Sequence, residues 1–498
     1  MLSAVWMVLV LAAAYPLTDG LLRRSPHPVD PWLRLALVPG LSLGVLTLLM
    51  FWLGLPQIPF TFLNITIPYG IVMGVGGWFW WRAPKTRAIA SELDDRTRQS
   101  TFARPSLAQL ILWLIPLLIV AAVLFNAIYW PFYLEDAVGI YADRADFMYR
   151  SGGLVPLRDY PYYGYYQTYP MLIPMSYTYA YFASGWHNEY LAKALSAVLS
   201  LSCLPAVMSL GSAIGGRRLG WLALLLLAIT PAFGRWASSG YVDLPMACFY
   251  ILAALFCWRL WQRSNPTDAI LLGLSIGFAA WTKNAALPGI GLIGLWLFYA
   301  VLMKHVGWRD GLLALIACLL VAAPWYIRNW IEVQMLVPNT VWVDQAQRTL
   351  ANLVPFLTRL DNFALTGIVI TLGLFLEAVD FLRGGWREGR SAVLLILTVP
   401  YLVVWWAFVS YDPRFLLLFL PILIVLGAKQ TLRIADSLPP RIHQKIRPLA
   451  LAGIVVLALY VAWISVAYKD EILRDPLMSD AAKRAIVLPQ LPDQSNQR

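Results

Sequence analysis

Residues 107–127 read LAQLILWLIPLLIVAAVLFNA, and the chain continues through NAIYWPFYLEDAVGIYADRADF at 126–147. The first stretch carries no charge. A helix needs about 20 such residues to cross a hydrocarbon core about 30 Å thick, so 107–127 reads as a membrane span. Glu135 and Asp136 stand where that span meets water. The chain is 60% hydrophobic and 13% charged, so adjacent carboxylates at a membrane boundary call for a reason. Position alone fits either a solvated helix cap or chemistry at the bilayer surface.

The rest of the chain repeats the membrane signal. Mean hydropathy is +0.65, and soluble domains carry about 25% charged residues. Apolar runs fall near 2–21, 33–54, 63–81, 107–127, 190–214, 219–236, 241–262, 268–282, 284–303, 310–328, 362–382, 391–410, 415–430 and 448–468. A backbone exposed to lipid must satisfy its own hydrogen bonds. The expected fold is therefore an all-α polytopic membrane protein of about 12–14 transmembrane helices, with an extracytoplasmic amphipathic-helix loop. The run 268–282 is short enough to stop before the far surface, and 170–184 reads as interfacial.

The net charge of +11 does not imply nucleic acid, because the cations are segregated. They gather around Arg23, Arg24 and Arg34; in 82–104; at Arg217 and Arg218; at Arg259 and Arg263; at Lys304 and Arg309; in 383–390; and in 429–447. The positive-inside rule puts these loops in the cytoplasm. The N-terminus, loops 128–189 and 329–361, and the tail then face outward. The protein is expected to be an integral, multi-pass membrane protein, in the plasma (inner) membrane if bacterial, with an extracytoplasmic site. Cys203, Cys248, Cys257 and Cys318 lie in apolar runs and imply no disulfide framework. The four histidines have no metal-ligand spacing. No P-loop occurs, which argues against an ATP-driven pump.

Three parts are expected: a helical extension with its cytoplasmic loop at 1–106, a core at 107–430, and a last helix with an outer tail at 431–498. In the first outer loop Val138, Tyr141, Ala145 and Met148 recur at helical spacing, while Asp143, Arg144, Asp146 and Arg150 fall largely elsewhere around the helix. That pattern predicts an amphipathic helix lying on the membrane, ended by Gly152 and Gly153. The following RDYPYYGYYQTYPMLIPMSYTYAYF, which contains Tyr169, fits an aromatic belt at headgroup depth. The functional alternative is a wall that stacks on a sugar ring or a polyprenyl chain.

More polar groups collect at the same predicted pole. Asp243 opens the run after SSGYV, Lys283 interrupts GFAAWTKNAALPG, Arg328 sits in APWYIRNW, and Arg414 sits in YDPRFLLLFLP. Ionisable residues inside membrane segments are costly and mark functional sites by default. For each the alternative account is an ordinary helix-end residue, and for Arg328 alone that account is the favoured one. For Lys283 that account is an ammonium snorkelling to water.

These stretches together resemble the GT-C superfamily of membrane-embedded glycosyltransferases, which includes the protein O-mannosyltransferases and the lipid A aminoarabinose transferases. The resemblance rests on EDAVGIYADRA after the outer end of a helix, YPMLIPMSYTYAYFASG, GYVDLPMACFYILAAL, GLSIGFAAWTKNAALPG, APWYIRNW and RFLLLFLPILI, in that order and sidedness. It covers roughly 107–430. Many members read Asp-Glu where this chain reads Glu-Asp, and the first hundred residues extend beyond the usual core.

The resemblance implies a polyprenyl-phosphate-linked sugar donor, a lipid, glycan or protein acceptor, and inverting transfer of a hexosyl or pentosyl group outside the cytoplasm. It implies Asp136 as base, with Glu135 as alternate or partner. Asp243, Lys283, Arg328 and Arg414 would bind substrate, with Tyr141 and Tyr169 beside them. No cofactor is required; a divalent metal is admitted, and no ligand set compels it. Membrane lipid is a partner and nucleic acid is not. Two other classes compete: a secondary transporter using Asp243 and Lys283 as an intramembrane coupling pair, and a noncatalytic lipid-binding subunit. The missing inverted repeat weighs against the transporter.

Overall fold

The computed structural model describes residues 2–84, 106–160, 166–337, 346, 348, 357–384, 390–410 and 412–488. The basic stretch 85–105, the tyrosines at 162, 163 and 165, Arg387, and the C-terminal end with Pro489 and Pro492 lie outside the described residues. Among the described residues every regular element is a helix. Eleven helices among the described residues are long and apolar enough to cross a bilayer. They are Leu2–Leu22, Pro31–Gly54, Phe62–Trp81, Leu107–Tyr129, Glu189–Gly215, Asp243–Gln262, Asn284–Leu302, Trp308–Val333, Ala364–Leu382, Ala392–Val409 and Pro440–Ile464.

Three expected runs fall outside these eleven, each for a physical reason, and 268–282 is short as its sequence predicts. The run 219–236 is a pair of helices, Arg217–Ala228 and Pro231–Ala237, bent by 67°; Pro231 opens the second, as its missing N–H allows only at a first turn. Pro266–Thr282 has 17 residues, or about 25 Å at 1.5 Å each, and stops short at Lys283. The run 415–430 divides into a 3-10 turn, Pro413–Leu418, and the helix Leu420–Ser437. Lys429, Arg433 and Asp436 in that helix end its apolar stretch.

The expected interfacial stretch 170–184 is instead internal. It forms Leu172–Ser184, whose residues from Leu172 to Tyr181 are all buried in protein. The amphipathic helix also differs from expectation. It begins as a wide π-helical turn, Ala137–Ala142, and becomes α-helical over Asp143–Ser151. Tyr141, Ala145 and Met148 face inward as the spacing predicts, but Arg144 is buried with them. The helix packs on its own chain, because Arg144 finds backbone carbonyl partners there.

Asp243–Gln262 is apolar around its whole circumference, as a helix enclosed by others must be, and it is almost entirely buried. Pro31–Gly54, Cys203–Gly215, Pro266–Thr282 and Leu420–Ser437 surround it. Pro266–Thr282 crosses Trp308–Val333 closely because Gly273 presents no side chain; a Cβ there would stand 2.1 Å from the Ala314 carbonyl oxygen.

Polar ties close both ends of the bundle. At one end buried Asp19 pairs with Arg23 at 2.6 Å and Arg34 at 2.5 Å, and accepts from the Trp80 indole at 2.7 Å. At the other, Glu332 accepts from the Leu157 N–H at 2.7 Å, Asn329 donates to the Thr168 carbonyl at 3.1 Å, and Arg484 pairs with Glu189 at 2.8 Å. The described parts of 128–189, 329–337 and the tail thus share one pole.

Candidate active site

The site is built where four distant pieces of chain meet at that pole. The first is the exit from Leu107–Tyr129. Trp130 precedes a proline and is extended (φ −100°, ψ 143°), as the steric demand of the Pro131 ring favours. Buried Lys193 donates to the Trp130 carbonyl at 2.5 Å and the Pro131 carbonyl at 2.9 Å. Glu189, one turn earlier, accepts from the Phe132 N–H at 3.1 Å. From this fixed start the chain reaches Asp136 at the mouth of the wide turn, a kind of irregularity frequent at functional sites. Asp136 Oδ2 accepts from Arg414 Nη1 at 2.8 Å. Glu135 is exposed, and its side chain has neither ion pair nor hydrogen bond among the described residues.

The second piece carries Asp243. Gly240 has φ +83°, and a Cβ there would lie 2.7 Å from the Phe132 ring, so only glycine fits this turn. Tyr177 donates to the Gly240 carbonyl at 2.9 Å, and Ser196 to the Tyr241 carbonyl at 2.9 Å. Asp243 then opens its helix, where the dipole favours a carboxylate. It is 1% exposed.

Lys283 is the third piece, and the structure corrects the snorkelling account. The residue is extended (φ −155°, ψ 141°) between Pro266–Thr282 and the short turn Asn284–Ala286. The residue is 7% exposed, and Nζ lies 2.6 Å from Asp243 Oδ1. The ammonium turns into the protein because a carboxylate waits there.

Arg414 is the hub. Asp412 caps its turn, accepting from the Arg414 N–H at 2.8 Å. Arg414 Nε stands 3.3 Å from Asp412 Oδ2 and 3.9 Å from Asp243 Oδ2. The guanidinium lies 4.5 Å from the Tyr241 ring centre, 5.4 Å from Trp236 and 5.0 Å from Phe415. Burial alone would lower its pKa; Asp243, Asp412 and Asp136 together hold it well above the ordinary value. Asp136, Arg414, Asp243 and Lys283 thus form one alternating chain of charge.

Tyr141 borders this chain. Burial pushes its hydroxyl pKa well up, and Tyr169, Asp243 and Asp136 add to the effect. Its ring stands edge-on to Tyr241 at 6.4 Å. The Tyr169 carbonyl accepts from Arg144 at 2.8 Å, and Arg144 also binds the Gln167 carbonyl. Burial lowers the Arg144 pKa to about 10. Arg328 does not join the charged chain through any direct contact: it pairs with Glu332 at 2.5 Å and donates to the Val155 carbonyl at 2.7 Å.

Sequence reasoning missed Asp412, Trp236, Tyr241, Phe415 and the two clamps Glu189 and Lys193. Asp412 left a signal, since Asp-Pro before a helix is a capping signature. The aromatic neighbours left none. Among the described residues no three His, Cys, Asp or Glu side chains form a group that could hold a metal ion. The carboxylates of Asp136, Asp243 and Asp412 converge on the Arg414 guanidinium.

The family model described as dolichyl-phosphate-mannose-protein mannosyltransferase matches residues 166–327, which include Asp243 and Lys283 but neither Asp136 nor Arg414. Comparison with curated protein sequences finds no match. Among solved structures the chain is similar to the Archaeoglobus fulgidus oligosaccharyltransferase complexed with zinc and sulfate (16% identity, 78% of this chain and 58% of that chain, TM-score 0.52). It is also similar to AglB from the same organism, with an inhibitory peptide and a dolichol-phosphate (14%, 74% and 57%, 0.50). The chain spans under two thirds of those two proteins. A third likeness is ArnT from Cupriavidus metallidurans bound to undecaprenyl phosphate (17%, 76% and 73%, 0.46).

Proposed function

We propose, on the premise that the chain is a GT-C superfamily membrane glycosyltransferase, as the family model and the shared fold indicate, that it moves a hexosyl or pentosyl group from a polyprenyl-phosphate-linked donor to an acceptor hydroxyl. The acceptor is a lipid, glycan or protein, and transfer occurs on the extracytoplasmic face with inversion. The observation that carries this reading is the convergence of Asp136, Asp243, Lys283 and Arg414 at one pole of an otherwise apolar bundle. AglB, which shares the fold, holds a dolichol-phosphate.

Asp136 takes the proton of the acceptor hydroxyl as its oxygen attacks C1 of the sugar. The C1–O bond to the donor phosphate breaks, and its electron pair leaves with the phosphate. Arg414 and Lys283 stabilise that developing anion. In the free protein Arg414 is held by Asp136. An arriving phosphate competes for the guanidinium and releases Asp136 to act as base, so donor binding prepares the site. Asp243 keeps both cations in place, and Tyr141 and Tyr169 line the approach.

Purified protein in detergent, given radiolabelled polyprenyl-phosphate sugars and a membrane extract as acceptor source, should form labelled product. Asp136→Asn should lower turnover by about a hundredfold or more, while Glu135→Gln has a smaller effect. Full activity in both variants would refute the assignment. The buried Lys283–Asp243 pair also has the form of a transporter's coupling pair. Transfer in detergent separates the two readings, since coupled transport needs a sealed compartment.

A further inference from the structure

We propose that the outer C-terminal segment 467–487 is a positioning element of the active site, acting through Arg484 and Glu189 on the backbone that leads to Asp136. The proposal rests on the assignment of Asp136 above. The segment follows the last spanning helix and folds back over the exit of Leu107–Tyr129. Asn126 accepts from the Ala467 N–H at 2.8 Å, and the Trp130 indole donates to the Ala467 carbonyl at 3.0 Å. Trp130 is fully buried among residues that include Met478 and Val487. Tyr129 donates to the Pro476 carbonyl at 3.1 Å.

An apolar cover would need nothing more, yet the segment also delivers a charge. Arg484, on the helix Asp480–Val487, pairs with Glu189 Oε1 at 2.8 Å and is itself oriented by Asp480 at 2.9 Å. Tyr190 donates to the same Asp480. The other oxygen of Glu189 accepts the Phe132 N–H, and Lys193, on the same helical face, takes the Trp130 and Pro131 carbonyls. Glu189 thus bridges the tail to the chain four residues before Asp136. Phe132 also packs on Gly240, three residues before Asp243, so one anchor serves both carboxylates. Without Arg484 the Glu189 carboxylate loses its ion-pair partner and keeps only the more distant Lys193, which is committed to the Trp130 and Pro131 carbonyls, so its nearest relief is to turn toward water and release the Phe132 N–H. Glu189 and Arg484 are positioning residues; neither touches the reacting atoms.

The test is a double-mutant cycle on monodisperse full-length protein, with hydrogen exchange on the same samples. Arg484→Gln should lower kcat on the order of tenfold with the donor KM little changed, and Arg484→Lys should restore most of it. In the Asp136→Asn background Arg484→Gln should add no further loss, because the group it positions is already disabled. Amide exchange over 130–136 should quicken in Arg484→Gln and not in Arg484→Lys. An equal loss in both backgrounds, or unchanged exchange, overturns the proposal. Quickened exchange together with a fully active Asp136→Asn leaves the clamp standing and refutes the catalytic assignment instead.

Discussion

Removing the charge of Lys283 should separate stability from chemistry. The Lys283–Asp243 pair is 2.6 Å long and nearly buried. Breaking a buried pair from one side costs about 3–5 kcal/mol, because the orphaned charge stays in a poor solvent. Here Arg414 Nε stands 3.9 Å from the other Asp243 oxygen and offsets part of that. Lys283→Met is therefore expected to destabilise by about 2–4 kcal/mol, whereas a lysine snorkelling to water would change stability within about 0.5 kcal/mol. Lys283→Met/Asp243→Leu removes both charges and fills the space with apolar groups, so stability should return to within about 1 kcal/mol of the parent. Arg414 keeps Asp136 and Asp412 as partners in that variant. Activity should not return, because the cation proposed to bind the donor phosphate is gone.

The assay is thermal unfolding in detergent with and without donor, alongside labelled-sugar transfer. Donor at a hundredfold its Kd should stabilise the parent by about 2.7 kcal/mol, and that increment should shrink in both variants. If the double variant regains turnover along with stability, the pair is only a brace and Lys283 leaves the site. If Lys283→Met changes neither stability nor kinetics, the buried pair itself is refuted.

Three further outcomes follow from the same pole. Burial, with Asp146 beside it, raises the Asp143 pKa from 3.8 to about 6, so the folded state binds the proton more tightly than the unfolded one. Stability should fall as pH rises from about 4 to about 6 and then level off. Asp143→Asn should be close to neutral at pH 4 and stabilise by at most about 3 kcal/mol above pH 6, read by unfolding across that range; a pH-independent difference would refute this. Arg328→Gln should lose about 1–3 kcal/mol through its bonds to Glu332 and Val155 and keep the donor KM; a raised KM at unchanged stability would bring Arg328 into the site. A cysteine at Ser151 should react with an impermeant thiol reagent in intact cells while one at Ser437 should not, and the reverse pattern would invert the topology.

Most of the fold was legible because a bilayer imposes one rule on every span. An uncharged run such as 107–127 has a single solution, a helix. The departures occur where a local feature competes with hydropathy. Pro231 bends 219–236, and Lys429, Arg433 and Asp436 spoil the second half of 415–430. Leu172–Ser184 was misjudged because its tyrosines suit an interface as well as an interior. Tyr177 is internal because its hydroxyl finds the Gly240 carbonyl, a partner that no local pattern displays.

The site residues were legible one at a time and their pairing was not. Asp136, Asp243, Lys283 and Arg414 each stood out as a charge that an apolar chain does not tolerate without cause. Helix length gave Lys283 its depth, but depth alone leaves an ammonium two destinations, water or a partner. The choice depends on Asp243, which lies on another helix and reaches the same depth only because Gly240 permits the turn before it. The same limit hid Lys193. Inside the run 190–214 it reads as a stray charge, yet it is fully buried because two carbonyls freed by the Trp130–Pro131 helix end require a donor. Where a membrane protein ends a helix inside its own packing, a nearby buried cation is the expected complement. That rule turns an isolated lysine in a hydropathy plot into a pointer toward the helix end it serves, and here that end is the one that carries Asp136.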